Sequence, residues 1–109
     1  MRPAGMTAAE RASRSKLKPI ISWQEMLRAT PTLREQVCGK PGCHCQRGQK
    51  HLALVITRST KGRVEQLYIP KDQEATVRLW IERYREVQDL LERISSTYWE
   101  RLKRTKKRR

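Results

Sequence analysis

No glycine or proline occurs between Lys71 and Arg109, although both are present in the preceding 70 residues. The two strongest helix breakers are therefore missing from the last third of the chain. Asp72 is placed to cap a helix, and Glu74 puts a carboxylate in its first turn, where the helix dipole favours negative charge. The predicted helix runs to about Lys103. Its apolar positions Val77, Trp80, Tyr84, Val87, Leu91, Ile94 and Tyr98 follow alternating spacings of three and four, an a/d seam. At 1.5 Å per residue, some 32 residues extend to roughly 48 Å, more than a small core can cover. The seam is therefore expected to serve oligomerisation, as a homodimer or by docking to a larger protein. Leu79, Ile81, Leu90, Trp99 and Leu102 widen the stripe, so that part can pack on the hairpin and part on another helix, and packing within the chain is the competing explanation.

The rest of the chain has little with which to build a core. Hydrophobic residues make up 37% of the 109 and charged residues 33%, and there is no Phe. One small domain of this kind usually depends on a metal, disulfides or a partner. Three cysteines cannot all pair within one chain, which favours a reducing compartment and metal-bound thiolates.

All three cysteines and both histidines fall in one stretch, "CGKPGCHCQRGQKH", from Cys38 to His51. Cys38, Cys43, Cys45 and His51 form a Cys3His set, one of the usual tetrahedral donor sets of structural zinc. Gly39 and Gly42 allow the tight turns that a chain wrapped round a small ion needs. His44 competes with His51 for the fourth place. It lies between two cysteines that must both turn inward, so in an extended segment its side chain points away. A closed four-ligand site leaves no position for substrate, so Zn2+ is expected to be structural. A redox pair at Cys43 and Cys45, an iron–sulfur ligand set and unrelated thiols are the rival readings.

Around this knuckle the chain divides into four. Residues 1–18 read as a disordered basic arm, with five bases, one acid and no apolar period. An organelle transit peptide is the other reading of that opening. Residues 19–71 are expected to hold a short helix, the knuckle and a β-hairpin. The helix spans about Trp23 to Ala29, with Ser22 and Glu25 as a capping box and Ile21 against Met26. "TLREQV" is an extended lead-in, and "HLALVITRS" and "RVEQLYI" are strands joined through "TKG", with Gly62 available for positive φ. Residues 72–103 are the long helix and 104–109 a basic tail. The fold class is α+β: a small zinc knuckle and β-hairpin followed by one long amphipathic, partly coiled-coil helix, with basic disordered tails.

Lys and Arg number 25 against 11 Asp and Glu, a formal net charge of +14. Residues 72–100 carry seven acids and four bases, a net of −3, so the remainder carries +17. A polyanion is the partner that such a surface favours. The candidate phosphate contacts are Lys40, Arg47 and Lys50 in the knuckle, and Arg58, Lys61 and Arg63 in the hairpin. Arg101, Lys103, Arg104, Lys106, Lys107, Arg108 and Arg109 join them from the closing "RLKRTKKRR". DNA is preferred to RNA as partner. No apolar run approaches a membrane span and no signal-peptide core follows Met1, so a cytoplasmic, even nucleoid-associated, protein is expected. With both histidines in the knuckle and no phosphate-cradling GxxxxGK[ST], catalysis and a small-molecule substrate are not expected.

The knuckle, the "YIPK" of Tyr68–Lys71 and the "VRLWIERYREVQDLLERISS" helix resemble a bacterial and archaeal family of small proteins of unknown function. Its members share a CGKPxCxCxxGxxH knuckle, a hairpin ending in Y[IV]PK and a long helix with W[IV]xxYR. The likeness covers about residues 34–100. It implies that Cys38, Cys43, Cys45 and His51 are the metal ligands, that Gly39, Pro41 and Gly48 belong to the loop, and that Tyr68, Pro70, Trp80 and Tyr84 are shared structural positions. Family members often continue after the histidine with Gly-Pro and several tyrosines, where this chain has "LALVITRS". They often lie beside mobile-element genes, so the resemblance implies a transposon-linked role by association. The function expected is thus a zinc-stabilised, basic nucleic-acid-binding accessory protein, with an adaptor docking through the long helix as the alternative.

Overall fold

The computed structural model describes residues 5–36 and 51–107. In chain order it contains α1 (Ala8–Trp23), β1 (Thr30–Gln36), β2 (His51–Thr60), β3 (Arg63–Ile69), a 3-10 turn (Lys71–Gln73) and α2 (Glu74–Lys107). These elements form two compact units, a sheet unit of Leu27–Ile81 and a helical unit of Met1–Met26 with Glu82–Arg109.

In the sheet unit the strands are antiparallel in the order β1-β2-β3. The β-branched run of β2 takes the centre, where both faces can be covered. Between β2 and β3 lies a two-residue turn, Lys61-Gly62, flanked by the pair Thr60↔Arg63. Both turn residues have positive φ, 51° and 78°, the backbone of a type I′ hairpin, whose twist matches that of the strands. β1 is the opposite edge and carries Pro31, which an edge strand tolerates because one side of its backbone has no partner strand.

Alternation sets the two faces of the sheet. Leu54 and Ile56 of β2 are buried against Val77 and Ile81, one helical turn apart on α2, with Leu27, Ala29 and Ile69 at the margin. The Leu27 N–H donates to the Trp80 carbonyl at 3.0 Å, tying the segment before β1 to the helix.

The helical unit is an antiparallel pair. Leu17 and Ile20 of α1 are buried with Val87 and Leu90 of α2, and Met26 and Ile94 pack against them. Thr7 caps α1, its Oγ1 accepting from the Glu10 N–H at 3.0 Å. Thr7-Ala8-Ala9-Glu10 is a capping-box sequence. The Glu10 carboxylate instead turns toward α2, where its Oε2 accepts from the Tyr98 hydroxyl and the Arg14 Nε, both at 2.8 Å. At the other end of the pair Arg83 donates to the Glu25 carbonyl at 3.2 Å.

Four expectations are corrected. Residues 8–18 are helical rather than a disordered arm. The inward positions of α1 are Glu10, Ser13, Leu17 and Ile20, spaced for one helix face, and the two within or before residue 13 are polar, so residues 8–18 show no apolar period. The helix placed at Trp23–Ala29 is absent: α1 ends at Trp23, four residues beyond its internal Pro19, and Gln24 is already extended at φ −102° and ψ 138°. Thr32–Gln36 of the lead-in "TLREQV" belong to a third strand rather than to a flank of a two-stranded hairpin, because they pair with β2. Finally, α2 continues to Lys107, so residues 104–107 are helix rather than tail.

Candidate nucleic-acid interface

Residues 36–64 contain six Lys or Arg and no Asp or Glu. The described part of this acid-free run makes up β2 and the turn after it. Gln36 pairs with His51, so the two ends of the cysteine segment are adjacent strand residues. Cys38, Cys43 and Cys45, rival ligand His44, and the bases Lys40, Arg47 and Lys50 lie outside the described residues. His51 opens β2. Among the described residues no cluster of three or more His, Cys, Asp or Glu forms a metal site.

The hairpin bases divide by what they touch. Arg58 and Glu65 are cross-strand partners, and both Nε and Nη2 of Arg58 lie 3.3 Å from Glu65 Oε1. That pair is half exposed, and its charge is partly offset rather than free for phosphate. The two-residue turn itself sets Arg58 opposite Glu65, so the pairing follows from the hairpin register. Lys61 and Arg63 are exposed at the turn. Arg28, not among the predicted contacts, donates to the Ser59 carbonyl at 3.0 Å and braces the approach to the turn.

The C-terminal bases divide similarly. Arg101 donates to the Gly5 carbonyl and stands over the Tyr98 ring, 5.1 Å from its centroid. Lys103 lies 3.8 Å from Glu100. Arg104 and Lys106 are exposed in the last turns of α2, where cations complement the helix dipole. Lys107 ends the helix, and Arg108 and Arg109 lie outside the described residues.

Strand parity creates a further surface that the sequence reading did not assemble. Thr30, Thr32 and Arg34 of β1, Ala53, Val55, Thr57 and Ser59 of β2, and Val64, Gln66 and Tyr68 of β3 share the face opposite Leu54 and Ile56. Val55 is fully buried at its centre, between its cross-strand partners Thr32 and Tyr68. Tyr68 keeps 54% of its surface open. The carboxylates of these strands, Glu35 and Glu65, belong to the other face by register. Once "TLREQV" is read as a strand paired with β2, parity alone places Arg34 and Tyr68 together here.

The seven seam residues are not one open stripe. Val77 and Val87 are buried, one in each unit, while Ile94 packs against the helical core. Tyr98 holds Glu10, Trp80 and Tyr84 are half-buried, and Leu91 is exposed. Ile81 and Leu90, outside the a/d template, are buried in their place. Removal from water pushes the Glu10 carboxyl up. The bonds from Tyr98 and Arg14 and the charges of Arg14 and Arg101 outweigh this and hold it below its ordinary value.

No curated protein and no solved structure matches this chain. The resemblance to a family of unknown function stands at that level, and the family match begins nearer the N-terminus, within α1, than the shared motifs reach. Residues 10–79 match the Domain of unknown function (DUF6788), and the chain belongs to that family.

Proposed function

We propose that this protein is a zinc-stabilised, basic nucleic-acid-binding accessory protein of the cytoplasm, with DNA as its partner, in keeping with a role beside mobile elements. The observation that carries the reading is the acid-free run of residues 36–64, whose described part includes the central strand and its turn. Neutralising phosphates with such a surface releases counterions and needs no base contact. Lys61 and Arg63 are the exposed hairpin bases, and Arg104 and Lys106 extend the charge along α2.

Cys38, Cys43, Cys45 and His51 would hold the zinc, and the pairing of Gln36 with His51 suits them, because it brings the ends of the ligand-bearing segment together. Bound zinc would supply folding free energy, on the order of 10–16 kcal/mol in zinc-finger peptides. No helix among the described residues is long and apolar enough to cross a membrane.

The test is binding of a labelled DNA duplex across a salt series, with heparin as a competing polyanion. Affinity for DNA that is no greater than for heparin at low salt overturns the reading. A second reading, an adaptor docking through α2, is favoured by Leu91, Trp99 and Leu102, which are 51%, 66% and 68% exposed. It predicts copurification with a protein that survives nuclease treatment and is lost on Leu91→Asp.

A further inference from the structure

We propose that the free edge of β3 pairs with the β3 edge of a second copy of this chain, joining two sheets into one of antiparallel strands. The inference is independent of the nucleic-acid reading above. β3 ends the sheet on one side, and all its residues but Ile69 are exposed. Val64 and Leu67 are uncovered, at 68% and 63% of their surface.

The hairpin register decides which backbone groups that edge offers. The turn closes on Thr60 and Arg63, so this pair exchanges hydrogen bonds, and alternation makes Glu65, Leu67 and Ile69 the next residues bonded to β2. Val64, Gln66 and Tyr68 therefore turn their N–H and C=O outward. The other edge is less fit for pairing, because β1 carries Pro31, whereas β3 has neither Pro nor Gly.

Self-complementarity and charge select the occupant. The three outward residues are symmetric about Gln66, so an antiparallel copy with its two-fold axis there sets Val64 opposite Tyr68 of the second copy and Gln66 opposite Gln66, each pair exchanging two backbone hydrogen bonds. Exposed β-branched and aromatic side chains then meet across the strands. A register moved by two residues sets Glu65 against Glu65 one way, and the other way sets Val64 against Pro70, which has no N–H to give. At the Gln66 register the two basic turns stand at opposite ends, about 30 Å apart and well beyond the Debye length of about 8 Å. Within β3 Arg63 and Glu65 cancel, so two chains of +14 meet through a neutral strand.

The experiment measures the mass of the full chain by sedimentation equilibrium after nuclease treatment, in low and in high salt. A dimer is expected, tighter in high salt, where the mutual repulsion of two chains of +14 is screened. A dimer bridged by residual nucleic acid would weaken instead. Gln66→Pro removes an outward N–H and no bond to β2, and should weaken the dimer about 10-fold or more through two lost hydrogen bonds. Val64→Lys, at an exposed site, should weaken it about 5-fold by removing both Val64–Tyr68 contacts, and should leave the monomer's melting temperature unchanged. Leu91→Asp should leave the dimer intact. A chain that is monomeric at both salts, a dimer that weakens as salt rises, or one that keeps its affinity in either β3 variant overturns the interface. Loss of the dimer with Leu91→Asp alone also overturns it and places the second copy on α2. None of these results touches the nucleic-acid reading, which the DNA titration tests separately.

Discussion

The Tyr98 hydroxyl donates to Glu10 Oε2 at 2.8 Å, joining residues 88 positions apart and fastening the first turn of α1 to the far part of α2. Glu10 is almost fully buried, and its Oε1 has no hydrogen-bond partner. A carboxylate so placed depends on its few donors.

The helical pair should therefore weaken in acid. The folded carboxyl of Glu10 lies below its ordinary value, so its contribution is complete above the unfolded value, about 4.3, and is lost as pH falls through the lower folded value. Tyr98→Phe removes a bond that holds it down, so the acid transition should move to higher pH. Helical circular dichroism against pH measures this; an unmoved transition would mean that the bond contributes nothing.

Adjacent α2 residues should respond oppositely. Leu90→Ala empties a site that is 2% exposed and should cost about 2–4 kcal/mol in urea unfolding. Leu91→Ala, at a site 51% exposed, should stay within about 0.5 kcal/mol. Equal losses would return Leu91 to the core.

Gly62 has open space where a Cβ would stand but a φ of +78°. Gly62→Ala should thus cost about 1–2 kcal/mol through backbone strain alone. Lys61→Asn should be neutral or stabilising at φ 51°, because Asn tolerates this region. Thermal melts of both variants test the type I′ turn.

Purified protein should carry one zinc per chain and lose it on Cys43→Ser. Chelation should lower the melting temperature of the unmutated protein and leave that of the variant unchanged. Elemental analysis showing no stoichiometric zinc in the unmutated protein would remove the metal from the proposal.

Nucleic-acid affinity should fall with salt at a log–log slope of about −0.9 for each duplex phosphate contacted. Lys61→Glu with Arg63→Glu should flatten that slope, whereas Arg58→Gln should change it less, since Arg58 already faces Glu65. Equal effects would show that the ion pair opens on binding.

What could be read in the sequence was what local residue choice decides. A run free of Gly and Pro made α2, and β-branched residues around Lys61-Gly62 made the β2–β3 hairpin. α1 was hidden because Glu10 and Ser13 fill half of its inward face, and the partner that makes Glu10 burial tolerable lies on another element. The a/d template chose Leu91 over Leu90 because it assumes one continuous partner, while α2 serves the sheet with Val77 and Ile81 and α1 with Val87 and Leu90. A strict 3.5-residue repeat also drifts about 20° per heptad from a straight helix. Arg101 reads as a phosphate contact in the sequence because its partner, the Gly5 carbonyl, is a backbone atom that no side-chain pattern announces.

The pairing of Gln36 with His51 has a thermodynamic consequence beyond the sheet. Closing a loop costs entropy that grows with the logarithm of its length, and here the β1–β2 ladder has already closed the segment that bears the cysteines. Any ion gripping that segment would act as a rivet at the mouth of the ladder. Linkage then runs both ways: fraying β1 would loosen the grip on the ion, and stripping the ion would let the strand ends part first.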